Sequence, residues 1–263
     1  MSNATLAGGL DVGSLWTKAV VLRGGEVVGW SVALTGERSS RAAEKALKKA
    51  LEPVGASMGD VAAVVATGAG KKEVSFARQQ AAEVVCLAKG AARLCPGARG
   101  VIDMGGESTR VVKMDEAGSV MDYALNDKCA AGTGVFLDAM AKVLKVGVEE
   151  MGPLSLESDA DVNITSTCVA FAESEVVSLI HRQTPKRDIL RGIHRSIATR
   201  VFGMVNRIGL EGTKAAVGGL SLNTGIVACL EDMIKDKLTI PENPQIASAL
   251  GAALIAAGLE GGE

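Results

Sequence analysis

Aromatic residues, histidines and excess charge are all scarce in this chain of 263 residues. Aromatic residues make up only 3% of the sequence although hydrophobic residues make up 48%, so the core must consist mainly of closely packed aliphatic side chains. A formal net charge of -2 gives no basis for expecting a nucleic-acid partner. The longest apolar runs, such as 247–258, are too short to span a bilayer, so no membrane association is expected.

Two common nucleotide-binding motifs and a disulfide framework are also missing. The sequence contains no Gly-x-x-x-x-Gly-Lys-Ser/Thr motif, which excludes a P-loop, and no Gly-x-Gly-x-x-Gly follows a strand pattern. Five cysteines, an odd number, do not indicate a disulfide framework. Because the first residues also lack a basic start followed by an apolar stretch, we expect a reducing, cytoplasmic location.

What the chain does contain is one pattern that occurs twice. Leu10-Asp11-Val12-Gly13-Ser14 and Ile102-Asp103-Met104-Gly105-Gly106 each read as a strand that ends in aspartate and glycine and is followed by a further strand. Two copies at this spacing indicate a duplicated α/β unit and not a solenoid. Helical patterns lie at 41–51, 79–94, 135–144, 169–180, 189–208 and 246–258.

The repeated turns have the composition of a phosphate and magnesium site. An aspartate at a strand end can place its carboxylate beside Mg²⁺, and glycines let backbone N–H groups approach phosphate oxygens. Ser14 and Lys18 add a hydroxyl and a cation to the first turn, and Gly218-Gly219 forms a third glycine turn further along. Three such turns predict that the chain binds a nucleotide.

Cys129 and Cys168 are a second distinctive feature, because each precedes a segment that we expect to be a helix, starting at Ala130 and Val169. Two thiolates are too few for a tetrahedral zinc or iron–sulfur site, which needs about four ligands. A twofold dimer would double the number of thiolates, since it presents the same surface twice. We therefore expect a metal cluster at a homodimer interface.

The three glycine turns, in this order, resemble the acetate and sugar kinase/Hsp70/actin superfamily. The resemblance implies an α/β fold of two duplicated actin/Hsp70-like lobes with a nucleotide cleft between them. We expect lobe I at 5–99, closed by the C-terminal helix at 246–258, and lobe II at 100–245, which carries the two cysteines. The segment 216–223 is similar to the superfamily's adenosine loop and predicts contacts of Gly218, Gly219 and Asn223 with the nucleoside.

The cysteine segments resemble those of the BadF/BadG/BcrA/BcrD group, whose best-known members activate 2-hydroxyacyl-CoA dehydratases. The matching segments are 126–137 and 166–175, and the likeness extends from Leu6 to Ala257. It implies an ATPase that binds ATP/ADP and Mg²⁺ and that holds one [4Fe–4S] cluster per homodimer. It also implies an iron–sulfur acyl-CoA dehydratase or reductase as partner and a ferredoxin or flavodoxin as electron donor, in an anaerobic metabolism.

The residue roles that follow from the turns and from the resemblance fall into three sets. Three acidic residues are expected to act on Mg²⁺ and water, and they are Asp11, Asp103 and Glu107. The second set is expected to contact the nucleotide, and it comprises Gly13, Ser14, Lys18, Gly105, Gly106, Gly132, Thr133, Gly218, Gly219, Asn223 and Gln245. The expected cluster ligands are Cys129 and Cys168.

The sequence departs from the family pattern in the second turn, and this leaves alternatives open. Where the family has Gly-Gly-Gln-Asp, this chain has Gly105-Gly106-Glu107-Ser108. One alternative is the ATPase subunit of a benzoyl-CoA reductase. Another, of a different class, is a small-molecule kinase of the same superfamily, with Asp127 as the nearby base. Of the two histidines, we expect His181 at the surface and His194 to be packed or exposed, and Cys86 and Cys229 to lie in the core.

Overall fold

The computed structural model describes residues 5–160, 162–164 and 168–259. The described chain divides into two compact units. Lobe I comprises the described residues within 1–98, 114–121 and 245–263, and lobe II comprises those within 99–113 and 122–244. The predicted α/β class is confirmed, because each lobe combines one mixed five-stranded sheet with helices.

Lobe I is built on a sheet in the order β3-β2-β1-β4-β5, in which β1–β3 form an antiparallel meander and β1, β4 and β5 run parallel. The strands are β1 (Leu6–Val12), β2 (Trp16–Arg23), β3 (Glu26–Leu34), β4 (Val61–Thr67) and β5 (Gln79–Gln80). The helices are α1 (Ser39–Leu51), α2 (Glu83–Leu94) and the C-terminal α8 (Ala247–Gly258). One apolar cluster lies on the α1 side of the sheet and a second on the α2 and α8 side.

Lobe II has a sheet of the same plan, in the order β10-β9-β6-β7-β8. Its strands are β6 (Gly100–Met104), β7 (Thr109–Met114), β8 (Val120–Asn126), β9 (Lys214–Val217) and β10 (Leu238–Thr239). Its helices are α3 (Gly134–Leu144), α4 (Val148–Leu156), α5 (Val169–His181), α6 (Lys186–Ile208) and α7 (Thr224–Ile234). One large aliphatic cluster around the buried Phe136 joins the sheet to these helices.

Small residues allow helices to pack directly on each other and on the sheet of lobe I. A Cβ atom at Gly90 of α2 would overlap the carbonyl oxygen of Ala247, and one at Gly251 of α8 would overlap that of Cys86. A Cβ atom at Gly9 of β1 would overlap the backbone of α8 in the same way. The high glycine and alanine content therefore lets backbones approach closely where aromatic side chains are scarce.

Two of the element predictions were wrong in detail. The helix expected at 79–94 starts only at Glu83, because Arg78 N and Ala81 N donate to carbonyl groups of β4 and hold Gln79–Gln80 as an edge strand. The helix expected at Ala130 is a single 3₁₀ turn (Ala130–Gly132), and α3 begins at Gly134. The helix start at Val169 is confirmed.

Candidate functional site

The first turn of lobe I places a carboxylate and a cation side by side. Asp11 on β1 lies directly opposite Lys18 on β2, and Lys18 Nζ is 3.0 Å from Asp11 Oδ2. The turn between the strands is closed by a hydrogen bond of 3.1 Å from Gly13 N to Trp16 O. Ser14 in this turn is exposed. The pairing of adjacent strands thus presents an anion, a cation and a glycine turn at one sheet edge.

Lobe II repeats this arrangement with different residues. Asp103 on β6 lies opposite Arg110 on β7, and Arg110 Nη1 is 3.2 Å from Asp103 Oδ2. Gly105 N donates to Ser108 O at 2.9 Å and closes the turn. Both carboxylates are mostly buried, which strengthens their attraction to the paired cation relative to a fully solvated pair.

A glycine from the neighbouring parallel strand approaches each aspartate. Gly68 has φ +89 and Gly218 has φ +84, which is the region that favours glycine. A Cβ atom at Gly68 would overlap Val12 O and lie 2.8 Å from Asp11 Oδ1. A Cβ atom at Gly218 would overlap Met104 O and lie 2.5 Å from Asp103 Oδ1. The backbone at Gly68 and Gly218 therefore lies directly against the two carboxylates, and a side chain at either position would overlap its neighbours.

Arg110 is a site residue that the sequence reasoning did not identify. The duplication contains the signal that could have found it, since Lys18 follows Asp11 by the same seven positions as Arg110 follows Asp103. In each hairpin that spacing makes the two residues cross-strand partners on one face.

The turn of lobe II is hydrogen-bonded to the segment that carries Cys129. Gly134 N donates to Gly105 O at 3.0 Å, and Val135 N donates to Gly106 O at 2.9 Å. Thr109 Oγ1 donates to Gly132 O at 2.8 Å. The first two bonds satisfy N–H groups at the start of α3, which have no partner within the helix, and the third satisfies a carbonyl group of the preceding 3₁₀ turn.

Cys129 is held at the other end of the same short segment. The Asn126 side chain bonds to both the backbone N and O of Cys129, and Thr133 Oγ1 donates to Ala130 O at 2.6 Å. Cys129 precedes the 3₁₀ turn as its N-cap residue. Four residues, 130–133, separate Cys129 from Gly134, the first residue whose N–H bonds to the Gly105-Gly106 turn.

The cysteines differ in accessibility. Cys168 is exposed at the start of α5 and Cys129 is partly exposed, and Arg200 Nη1 lies 4.0 Å from Cys129 Sγ. Cys86, Cys95 and Cys229 are buried, and burial raises the pKa of each thiol, that of Cys86 to about 11. The core positions of Cys86 and Cys229 are confirmed. Residues 166–167 of the second cysteine segment lie outside the described residues.

The remaining predicted residues have varied surroundings. Glu107 is exposed on the turn, while Gly132 and Thr133 are buried. Gln245 Oε1 is buried without a hydrogen-bond partner among the described residues. Asn223 is buried, and its Oδ1 accepts from Ile226 N at 3.0 Å as the N-cap of α7. His194 is buried as well, and His181 is exposed at the end of α5.

Two α/β units, each with an aspartate–glycine turn and a paired cation, define a protein of the acetate and sugar kinase/Hsp70/actin class. A ROK family glucokinase from Streptomyces griseus shares this fold with a TM-score of 0.59 at 14% identity, over 96% of this chain and 99% of that one. More specifically, residues 9–256 match the BadF/BadG/BcrA/BcrD ATPase family. The chain belongs to that family, and it is an ATPase of this type, as predicted.

Relatives and solved structures agree with the family. The chain is 41% identical to a 2-hydroxyisocaproyl-CoA dehydratase activator of Clostridioides difficile, over 94% of this chain and 93% of the relative. It is 40% identical to the (R)-2-hydroxyglutaryl-CoA dehydratase activating ATPase of Acidaminococcus fermentans, over 94% and 95%. A benzoyl-CoA reductase component from Thauera aromatica is 32% identical, over 95% and 92%. The structure of the Clostridium difficile activator with bound ADPNP matches with a TM-score of 0.91 at 40% identity, over 97% and 95%.

No helix among the described residues is both long and apolar enough to cross a membrane.

Proposed function

We propose that this chain is an ATP-dependent reductive activator, which hydrolyses ATP and passes a low-potential electron to a 2-hydroxyacyl-CoA dehydratase-type enzyme. The observation that carries the proposal is the set of hydrogen bonds joining the Gly105-Gly106 turn to the Cys129 segment. These bonds connect the turn that is proposed to bind phosphate with a partly exposed thiol, and an ATP-driven electron transfer requires such a connection. The names of relatives at about 40% identity support the partner class.

The nucleotide roles are assigned lobe by lobe. In lobe I, Asp11 and Lys18 would act on Mg²⁺ and phosphate beside the Gly13-Ser14 turn, and in lobe II Asp103 would act on Mg²⁺ and water. Arg110 would orient the Asp103 carboxylate as Lys18 orients that of Asp11. Glu107, on the same turn as Gly105, would act on Mg²⁺ and water together with Asp103. The buried Gln245 oxygen has no hydrogen-bond partner within the described part of the chain, and a donor group of the ligand would satisfy it. The further proposed nucleotide contacts are Gly105, Gly106, Gly132, Thr133, Gly218, Gly219 and Gln245.

Cys129 and Cys168 of two copies of the chain would hold one [4Fe–4S] cluster. The exposed Cys168 thiol lies at the start of α5, where the N–H groups of the first turn and the positive end of the helix dipole would favour an anionic group. Arg200 beside Cys129 adds a cation. Within the described part of one chain, no group of three or more candidate ligands converges, so four thiolates require a homodimer. The bound cluster would supply one-electron transfer.

Within lobe II, the chain's own residues would connect the two chemistries. A change in phosphate contacts at Gly105-Gly106 moves the carbonyl groups to which Gly134 N and Val135 N are bonded. The start of α3 then shifts, and the 3₁₀ turn carries the shift to Cys129. A cytoplasmic ferredoxin or flavodoxin, in an anaerobic cell, is the proposed source of the electron.

The decisive experiment is to purify the protein without oxygen and to measure iron and sulfide per dimer together with the ATPase rate. We expect about four iron atoms per dimer, because one cubane cluster contains four. The Cys129→Ala and Cys168→Ala variants should lose the iron and keep ATP hydrolysis. Cys229→Ala is the matched control, since that thiol is buried in the core.

No iron in the wild-type protein after anaerobic reconstitution would contradict the activator function. Equal loss of iron in Cys229→Ala would show that the loss reflects unfolding and would remove the case for Cys129 and Cys168 as ligands.

The ATPase subunit of a benzoyl-CoA reductase is the second candidate. It is favoured by the benzoyl-CoA reductase relative from Thauera aromatica at 32% identity. Co-purification from the native cell separates the two candidates. A permanent complex with larger subunits supports the reductase, and a free dimer supports the activator.

A further inference from the structure

A buried network of hydrogen-bonded side chains in lobe II joins three helices beside the Gly218–Asn223 loop. His194 of α6 is fully buried, and its Nδ1 lies 2.8 Å from Ser155 Oγ of α4. Its Nε2 lies 3.3 Å from Asn223 Nδ2, at the residue that caps α7. A Cβ atom at Gly225 would overlap both Ser155 Oγ and His194 Nδ1. The backbone of α7 therefore packs directly against this hydrogen bond.

The donor and acceptor of each hydrogen bond in this network can be assigned from Asn223 at one end and Ser155 at the other. Asn223 Oδ1 accepts from Ile226 N, which fixes the amide orientation and leaves Nδ2 as the donor toward His194. Ser155 Oγ donates to Gly152 O at 2.9 Å and therefore accepts from His194 Nδ1. Both assignments require the same neutral tautomer, with the proton on Nδ1 and with Nε2 as acceptor.

Burial supports the neutral ring independently, since it lowers the pKa of His194 to about 4. At neutral pH every polar atom of the imidazole thus has a partner. A satisfied buried network of this kind fixes the positions of the elements that it joins.

The loop that follows Gly218 ends at this network. Ser221 Oγ and Ser221 N both bond to Gly218 O, and Asn223 N donates to Leu220 O. The loop is thereby a compact unit with Gly218 beside Asp103 at one end and Asn223 beside His194 at the other. We propose that His194 is a positioning residue that holds this loop through Asn223 and thereby sets nucleotide affinity, a role that rests on the proposed function of the loop.

This proposal adds to the role of Asn223. Both polar groups of its side chain are bonded inside lobe II, Oδ1 to the backbone of α7 and Nδ2 to His194. These two bonds let Asn223 fix the backbone of Gly218–Leu222, and they leave the second N–H of Nδ2 for a direct contact with the nucleotide.

Two uncharged amide substitutions of His194 each keep one of its two hydrogen bonds and remove the other. In His194→Gln the terminal amide reaches the place of Nε2, and its oxygen can accept from Asn223. In His194→Asn the shorter amide reaches the place of Nδ1, and it can bond only to Ser155. We expect His194→Asn to weaken ADP binding roughly tenfold, the effect of losing one buried hydrogen bond, while His194→Gln stays within about twofold of wild type.

The measurements are the ADP dissociation constant by titration calorimetry and steady-state ATPase kinetics, with circular dichroism to check folding. The KM for ATP should rise in His194→Asn while kcat is unchanged, because a positioned loop binds the ground state and the transition state alike. Nitrogen-15 spectra of the unaltered protein at pH 7 should show His194 with a proton on Nδ1 and none on Nε2.

Each failure has a separate meaning. Equal ADP affinity in both variants, or a proton on Nε2 in the wild type, would overturn the positioning role while leaving the proposed function intact. If the wild type itself bound no ADP, the proposed function would fail and the positioning role with it. Should His194→Asn not fold, the tautomer and the affinity of His194→Gln still decide the question.

Discussion

At the scale of single residues, the site is made of charges paired across hairpins. Lys18 and Arg110 differ chemically, since Lys is a compact point charge and Arg a planar fork with several donors. Both nevertheless contact Oδ2 of their aspartate, Lys18 at 3.0 Å and Arg110 at 3.2 Å. The cation therefore has the same charge and the same position in both hairpins, although the residue type differs.

Replacing Arg110 by Met should lower kcat for ATP hydrolysis by roughly 10–100-fold, because Asp103 loses the cation that orients it. Arg110→Lys should recover most of the rate, since it restores the pairing seen at Lys18. Steady-state ATPase assays at saturating Mg²⁺ and ATP measure this. A rate for Arg110→Met equal to wild type would contradict the role of Arg110.

His194 should make stability depend on pH in the acid range. Its pKa is about 4 in the folded chain and 6.5 as the ordinary value, so between these values the unfolded chain binds the proton first. Unfolding is therefore increasingly favoured as the pH falls from 6.5 to 4, by about 3 kcal/mol in total. Urea unfolding at pH 7 and pH 4.5 should show this loss, and His194→Gln should show less of it. Parallel pH profiles for the two proteins would refute the prediction.

At the scale of elements, the turns depend on backbone that only glycine can form. Gly218 and its neighbour Gly219 make a natural comparison, because a Cβ atom at Gly218 meets Met104 O whereas one at Gly219 meets nothing within 4 Å. The same residue type thus has a strict structural requirement at one position and none at the next.

Gly218→Ala should lower the free energy of unfolding by about 1–3 kcal/mol, through the positive φ and the overlap with β6. It should also raise the KM for ATP. Gly219→Ala is the control and should change stability by less than about 0.5 kcal/mol. Denaturant unfolding and ATPase kinetics test both. Similar losses in the two variants would show that the loop needs flexibility at both positions.

The link between the Gly105 turn and Cys129 can be tested at Thr109. Thr109→Val removes the bond from Thr109 Oγ1 to Gly132 O while keeping the β-branched shape. We expect nucleotide to change the alkylation rate of Cys129 in the wild type and to change it less in Thr109→Val. Thr17→Val is the matched control, since Thr17 holds the equivalent place in lobe I and bonds to Thr35. Peptide mass spectrometry separates Cys129 from the other thiols.

At the scale of the whole molecule, one plan is used twice and then specialised. The two sheets have the same strand order, but among the described residues only lobe II has a turn bonded to a cysteine segment. In lobe I the corresponding first turn is bonded instead to the residue that follows β3, since Thr35 Oγ1 donates to Gly13 O. The two lobes have similar turns, and the segment after β8 gives the turn of lobe II a second connection.

Binding of ADP with Mg²⁺ should stabilise the protein, since a ligand bound only by the folded state adds about 2.7 kcal/mol at a hundredfold excess over its dissociation constant. Thermal unfolding with increasing ADP measures the shift in Tm. Gly218→Ala should show a smaller shift, because the overlap with Met104 O displaces the loop that is proposed to contact the nucleotide. No shift in the wild type would contradict nucleotide binding.

The sequence by itself determined the duplicated α/β plan, because strand patterns that end in Asp-x-Gly are local signals. It also indicated Cys129 and Cys168, since their segments resemble one family. Local signals failed at Gln79–Gln80, where hydrogen bonds from a distant strand override a helical pattern. They failed again at Ala130, where a 3₁₀ turn precedes the helix.

Only the tertiary structure decided which residues act together. The place of Gly218 against Asp103 Oδ1 depends on two strands, β6 and β9, that are far apart in the chain. The contact between His194 and Asn223 joins residues 29 positions apart on two helices. Such contacts leave no local pattern in the sequence, because packing and not periodicity brings their atoms within hydrogen-bond distance.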